Sequence, residues 1–429
     1  MSRTRLVLGF LPLLDCAPLA VAADMGFAAD QGLELELIRE NSWANIRDRL
    51  IVGQFHAAHM LGPMTIASTL GIGHMKVPMV APMALGLGGN AITASRALWQ
   101  AMQNHGACAG APPLAQGKAL KEVVCERALG GEPPLTLAMV YPFSSHNYEL
   151  RYWLAACGID PDNDVLLIVI PPPLMVDALR SGQIDGFCSG EPWNSLAVAG
   201  GVGRIVTTTA EVWRRAPEKV LGMRADWADA HPADTAALVR ALYLASLWCG
   251  RQDSRSELAA LLAQPRFLGV PVDTLTRGLS GRLNLAPEPP APAPATSVPI
   301  TSRAPTSGAT TSDPNFLPVN EFLVYADHWA TFPWTSHALW FYSQMVRWRQ
   351  VAHSPAAAAA AAATYRPDVF RASLQPLGVH LPSLDSKTEQ SNDTHDPNSR
   401  GDSARGFFDG GVFDPAQLDA YINAKLAVP

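Results

Sequence analysis

Two histidines three residues apart, in His56-Ala57-Ala58-His59, have the types and spacing for metal chemistry. On a helix the imidazoles would lie roughly one turn apart and could share an ion; on a strand they would point to opposite faces. Further along, Gly86-Leu87-Gly88-Gly89-Asn90 follows an expected strand without a Lys or Ser in register. It therefore reads as a loop that lets a ligand approach backbone, not as a phosphate cradle. His146 opens a segment whose Leu150, Trp153, Leu154 and Cys157 share one helical face. The free N–H groups of that helix start would suit an anion. Glu191-Pro192-Trp193-Asn194 fits a strand-to-helix turn near a hinge, with Pro at the helix start, where Glu191 either orients cleft residues or supports the turn. A cleft shared by His146 and Glu191 is the arrangement that would suggest an enzyme. No GxSxG, HExxH or P-loop motif is present, so the expectation is a binding protein without catalysis, metal or cofactor.

These residues need elements to hold them. The 429 residues are 48% hydrophobic, enough for more than one lobe, and no apolar run reaches the length of a membrane span. A net charge of -6 argues against direct nucleic-acid binding, although a local anion site needs only one cation. Six scattered cysteines without a CxxC pair read as reduced core thiols, as in the cytoplasm.

The opening stretch MSRTRLVLGFLPLLDCAPLAVAAD resembles an export signal, with Arg3 and Arg5, an apolar run and Ala20-Val21-Ala22. Pro12 and Asp15 interrupt that run. The expected alternative is a βαβ unit: a strand over Leu6 to Phe10, a helix over Pro18 to Ala29, and an alternating strand over Leu33 to Ile38. That reading places the protein in the cytoplasm; a cleaved signal would place it in the periplasm.

Strand and helix signals then alternate to about residue 230, predicting parallel sheets flanked by helices. The expected architecture is α/β, with two lobes and a ligand cleft between them. Residues 1–85 plus about 201–429 form lobe one, and about 86–200 form lobe two. Arg204 to Thr207 and Val220 to Met223 are both expected to return to the first sheet. Residues 286–318, rich in Pro, Ala, Ser and Thr, and the polar 386–405 read as disordered inserts. Ala356 to Ala363 predicts a surface helix. The aromatics of TFPWTSHALWFYSQMVRW, including Trp340, Phe341 and Trp348, read as core packing over a partner surface.

Several motifs occur in a fixed order: SWANIRDRL at Ser42, HAAHMLGPM at His56, HNYELRYWLAACGIDPDNDV at His146, GEPWNSLAVA at Gly190 and PEKVLG at Pro217. Together they resemble the nitrate- and bicarbonate-binding proteins of ABC importers (NrtA and CmpA type), which have a type II periplasmic-binding-protein fold. They resemble still more closely the cytoplasmic nitrate sensors of assimilatory operons (NasS type). The resemblance covers about residues 5–285, resumes over Thr331 to Trp348 and Phe407 to Ile422, and skips both inserts.

The resemblance implies an anion in the interlobe cleft, held by Trp43, Asn90, His146 and Lys219, with Asn90 standing where the importers tend to have Gln. Read singly, each has a plainer account: core aromatic, turn former, helix-terminus hydrogen-bonder and surface charge. As a set they suit nitrate, a planar monoanion that needs N–H donors around its edge and little excess charge. Lys219 would offset the buried charge of the anion. Bicarbonate binders carry an acidic residue at this position, so Lys219 points to nitrate or nitrite. By the same resemblance the protein is a sensor that sequesters an ANTAR-type, NasT-like RNA-binding antiterminator when empty and releases it on binding nitrate. The alternative is an exported component of a nitrate importer.

Overall fold

The computed structural model describes residues 3–73, 75–286, 316–389 and 406–426. Its first element, β1 (Thr4–Phe10), lies parallel to β2 (Leu33–Arg39), with Leu6 opposite Leu35 and Leu8 opposite Leu37. Parallel pairing requires a crossover, supplied by α1 (Ala17–Asp24) and α2 (Phe27–Asp30). One continuous helix was expected here. Gly26, at a φ of 90°, takes the left-handed conformation and divides the segment in two. Leu19, Val21 and Ala22 are buried in α1, so the signal-like stretch is part of the lobe's core.

Next come α3 (Trp43–Ile51), β3 (Ala57–Leu61), α4 (Gly62–Leu70) and β4 (Met79–Ala84). A short β5 (Leu87–Gly88) leads to lobe two: β6 (Asn90–Ser95), α5 (Arg96–Asn104), α6 (Pro113–Leu129), β7 (Leu135–Met139), α7 (Ser145–Ala156), β8 (Val165–Val169), α8 (Met175–Arg180), β9 (Gly186–Gly190), α9 (Trp193–Ala199) and β10 (Gly203–Thr208). Lobe one resumes with β11 (Lys219–Arg224). The sheets are ordered β2-β1-β3-β11-β4 and β10-β6-β9-β7-β8.

Each sheet keeps a parallel core of three strands and adds antiparallel ones: β11 runs against β3 and β4, and β6 runs against β9 and β10. One expectation changes. Residues 203–208 do not return to the first sheet: β10 pairs with β6, Arg204 opposite Ala94, and only β11 goes back. A short apolar strand carries no record of which sheet it joins, and the chain turning after α9 meets the free edge of β6 first.

The two crossings between lobes run side by side, with Leu87 bridged to Pro217 and the amide of Gly88 donating to the carbonyl of Ala216 at 2.9 Å. The glycines at this hinge serve backbone, not ligand. β14 (Leu323–Val324) lies against β5, and a Cβ at Gly88 would meet the Phe322 carbonyl at 2.4 Å. Between them in the chain, β12 (Arg282–Asn284) pairs with β13 (Phe316–Pro318). The expected disordered inserts fall mostly outside the described residues, but their described ends are ordered: 316–318 in β13, and Glu389 bridged to Phe413.

The aromatic run forms a helix, Thr335–Arg347, and is core. Trp213 packs on Trp340 at 4.6 Å and stacks on Phe407 at 4.5 Å, while Tyr148 and Tyr152 of α7 approach Phe341 and Trp340 from lobe two. The alanine helix, Pro355–Thr364, buries Ala358 and Ala361 and rests on α4 and the aromatic helix. All six thiols are free; Cys108 and Cys125 are exposed, so only four are core residues. Among the described residues no helix is long and apolar enough to cross a membrane.

Candidate binding site

Lys219, the first residue of β11, is fully buried. A lone buried ammonium would be costly, and two carboxylates meet it: Asp15 at 2.7 Å and Glu218 at 2.6 Å. The other oxygen of Asp15, Oδ1, lies 2.8 Å from His59 Nε2. The Nδ1 of His59 accepts from the Leu11 amide, which leaves its proton on Nε2, facing Asp15. His59 is thus a neutral, buried orienter. His56 sits on the opposite side of β3, where its Nδ1 accepts from the Val7 amide and its ring packs near Trp227. The strand geometry separates the two imidazoles, and no group of three His, Cys, Asp or Glu among the described residues could hold a metal ion.

Around this pair the cleft closes from both lobes. Trp43 opens α3, capped by Ser42, whose hydroxyl accepts from the Asn45 amide at 3.2 Å. Its ring is 5.4 Å from that of His59 and 6.0 Å from the Lys219 ammonium. From lobe two, Asn90 at the start of β6 donates through Nδ2 to Glu149 at 3.1 Å and, closely, to Glu218. His146 lies in the first turn of α7, capped by Ser144. Gly190, at the end of β9, makes room for both: a Cβ there would lie 3.3 Å from Asn90 Oδ1 and 3.8 Å from His146 Nε2. All four residues named from the resemblance therefore converge on one buried cluster.

The charge arrangement differs from the expectation. Lys219 is not a free cation; Asp15 and Glu218 already pair with it. Burial opposes ionisation of Asp15, but Lys219 and His59 outweigh it and hold its pKa far below the usual carboxylate range. Burial would pull Lys219 down, yet Asp15 and Glu218 raise it. Burial raises Glu218 despite Lys219, and burial together with the charge of Glu218 drives Glu149 well above its ordinary value. Burial, then Lys219, pushes His146 well down. Two carboxylates thus share one ammonium, while burial favours the uncharged form of His146 and, with Glu218, the protonated form of Glu149.

Several polar atoms here are buried without a protein partner: Trp43 Nε1, both ring nitrogens of His146, Asn90 Oδ1 and Glu149 Oε1. Trp43 Nε1 can only donate, His146 donates through one nitrogen, and a protonated Glu149 donates too. Unpaired buried donors cost free energy, and their convergence describes a cradle for a small acceptor.

Glu191 sits just outside the cradle. Its side chain accepts from the Ser195 amide at 3.2 Å and packs against the Cα of Gly278, and its carbonyl accepts from Leu14 at 2.9 Å. With cis Pro192 and the buried Trp193 it builds the turn from β9 into α9 and ties that turn to lobe one. The structural role of Glu191 is the one its contacts describe.

Asp15, His59, Glu149 and Glu218 were not singled out as site residues from sequence. Asp15 had drawn notice only as a carboxylate inside an apolar run. Glu218 adjoins Lys219, and Glu149 follows His146 by three positions, which places both on one face of α7.

Fold and cleft together define a two-lobed binding protein. Residues 2–263 match the model of the NMT1-like family. The chain is 30% identical over 427 residues to the nitrate/nitrite binding protein NrtA of Synechococcus elongatus, covering 97% of this chain and 85% of that protein. It is 34% identical over 424 residues to the nitrate import ATP-binding protein NrtC of Synechocystis, covering 98% of this chain and 55% of NrtC, so it spans about half of that relative's length. The crystal structure of the periplasmic nitrate-binding protein NrtA from Synechocystis superposes with a TM-score of 0.81 at 28% identity over 98% of each chain. The chain belongs to the NMT1-like family and, within it, to the NrtA- and CmpA-like substrate-binding proteins of ABC importers. NrtA and CmpA are binding proteins and not enzymes, and the catalytic reading of His146 and Glu191 is set aside.

Proposed function

We propose that this protein binds nitrate or nitrite in the interlobe cluster and acts as a cytoplasmic sensor that holds an ANTAR-type antiterminator when empty and releases it when the anion binds. The observation that carries the anion reading is the set of buried, unpartnered donors at Trp43 and His146, facing a cluster in which Lys219 is the cation. A planar monoanion offers three acceptor oxygens to those donors. The cluster offers a single ammonium, already shared by two carboxylates, and so suits a single negative charge better than a multiply charged one. The cation at 219 supports nitrate over bicarbonate; overall similarity does not separate them, since NrtA of Nostoc and CmpA of Synechococcus are each 29% identical to this chain.

The sensor role rests on a separate argument. Residues 4–22 form β1 and most of α1, and Asp15 within them pairs with Lys219. Removing the segment at Ala22 would strip the core of lobe one and unpair the cation of the site. Closure of the lobes on the anion would then shift affinity for a partner. Delivery to an importer is the second reading, favoured by the names of the relatives.

A pull-down of the native protein with and without nitrate separates them. The sensor reading expects an RNA-binding partner that leaves on adding nitrate, and a polypeptide retaining Thr4. A mature N-terminus at Ala23 or Asp24 supports the importer reading.

A further inference from the structure

A concentration of unpaired positive charge lies on the outer side of lobe two, away from the interlobe cluster, whose Lys219 is paired. A cleft of about 590 Å³ opens between α5 and the edge strand β10, lined by Arg96, Trp99, Gln100, Gln103 and Arg204, with no carboxylate in its walls. In a chain of net charge -6, two guanidinium groups without an acidic neighbour stand out.

Arg204 is only partly exposed, and its guanidinium carbon sits 4.6 Å from the centre of the Trp99 ring. Trp99 is itself buried, so this contact fixes the guanidinium in place. Its Nε is buried without a hydrogen-bond partner. Burial alone pulls the pKa of Arg204 down, with no neighbouring charge to compensate.

Arg96 occupies the first turn of α5, the end where a helix dipole favours anions and disfavours cations. Arg96, Trp99, Gln100 and Gln103 fall at helical spacing on one face, so the forks and amides point into the same space. A cavity of this volume is of small-molecule size and far larger than nitrate.

We infer that the α5/β10 cleft is a second ligand site, for a small organic or inorganic polyanion that presents two anionic groups to Arg96 and Arg204. The site is mechanically connected to the first. β6 and β10 run between them: Ala91 lies opposite Thr208 beside Asn90, and Ser95 lies opposite Gly203 at the cleft. That span is roughly 13 Å of strand. A ligand that tightens α5 against β10 acts on the strand pair that carries Asn90.

The test is calorimetric titration of the full chain with two probes, citrate as a polycarboxylate and pyrophosphate as a phosphate, at matched ionic strength and without nitrate. At least one probe is expected to bind saturably, about tenfold more weakly in Arg204→Gln and with no measurable binding in the Arg96→Gln/Arg204→Gln double variant. Which probe binds assigns the anion class. Nitrate binding in both variants should match wild type, which separates this site from the interlobe one. Arg96 is exposed, so Arg96→Gln alone keeps the test valid if Arg204→Gln fails to fold. Absence of saturable binding at millimolar probe overturns the inference, as does binding that survives the double substitution or is displaced by nitrate.

Discussion

Asp15 and Lys219 meet at 2.7 Å in the core of lobe one, joining a loop after the first strand to the strand that returns from lobe two. The contact makes the geometry of the ligand cleft depend on the N-terminal βαβ unit. His59 Nε2 lies 2.8 Å from the other oxygen of Asp15 and Glu218 takes the other side of Lys219, so the cation is held between two carboxylates.

Lys219→Met should therefore destabilise the fold, because it leaves two buried carboxylates without their counterion. The expected loss is about 3–5 kcal/mol near neutral pH, read from the denaturant midpoint. The sign of the pH effect is set by Asp15, whose folded pKa is depressed by Lys219 and His59 against the opposing effect of burial. Its pairing contributes stability above the ordinary carboxylate range and loses it as pH falls. The variant and wild type should thus converge on acidification. A gap that stays constant down to low pH would contradict the pairing.

Burial and then Glu218 raise the pKa of Glu149 well above the ordinary value and favour its protonated form. In that form it is a donor, and ionised it repels an anion. Nitrate affinity should fall as pH rises through the folded pKa of Glu149, and Glu149→Gln, with a neutral donor of the same shape, should flatten that fall. An identical pH profile in the variant would assign the dependence elsewhere.

Glu191 offers a measurement independent of ligand. Burial lifts its pKa from 4.5 to about 7. The native state holds this proton more tightly than the unfolded chain, so the stabilising contribution is complete at low pH and is lost as pH rises across that window. The loss is at most about 3 kcal/mol. Glu191→Gln should remove this slope in chemical denaturation between the two values, and a slope identical to wild type would refute the assignment.

Gly190→Ala places a methyl 3.3 Å from both Asn90 Oδ1 and Leu13 Cδ2, and near His146. The fold should survive with a modest drop in melting temperature, whereas nitrate affinity should fall by about tenfold or more as the cradle narrows. Wild-type affinity with the added methyl would place the ligand elsewhere.

That Trp43, Asn90, His146 and Lys219 would lie together could be expected from the family resemblance, which three of them carry in its ordered motifs and Asn90 in the glycine loop. The electrostatics of the site could not. Glu218 and Glu149 look like surface charges until β6 and α7 bring Asn90 between them, and His59 stands in a motif whose spacing suggested a metal. Asp15 was visible as an anomaly in an apolar run, but its partner lies about two hundred residues away. The βαβ unit was legible through its alternation of apolar residues. The sheet membership of β10 was not, since Ile205 and Val206 would be buried equally well in either sheet.

The central claim is that the unpartnered donors of the cleft hold the anion, and Trp43→Phe tests it most directly. The substitution keeps an aromatic ring beside His59 but removes Nε1–H, which has no partner in the protein, together with part of the indole ring. Calorimetric titration with nitrate, at a temperature where the variant is fully folded, should show affinity reduced by about tenfold or more, the worth of a hydrogen bond to a charged ligand, alongside a drop in melting temperature from the smaller buried ring. Nitrate affinity equal to that of the wild type would contradict the account.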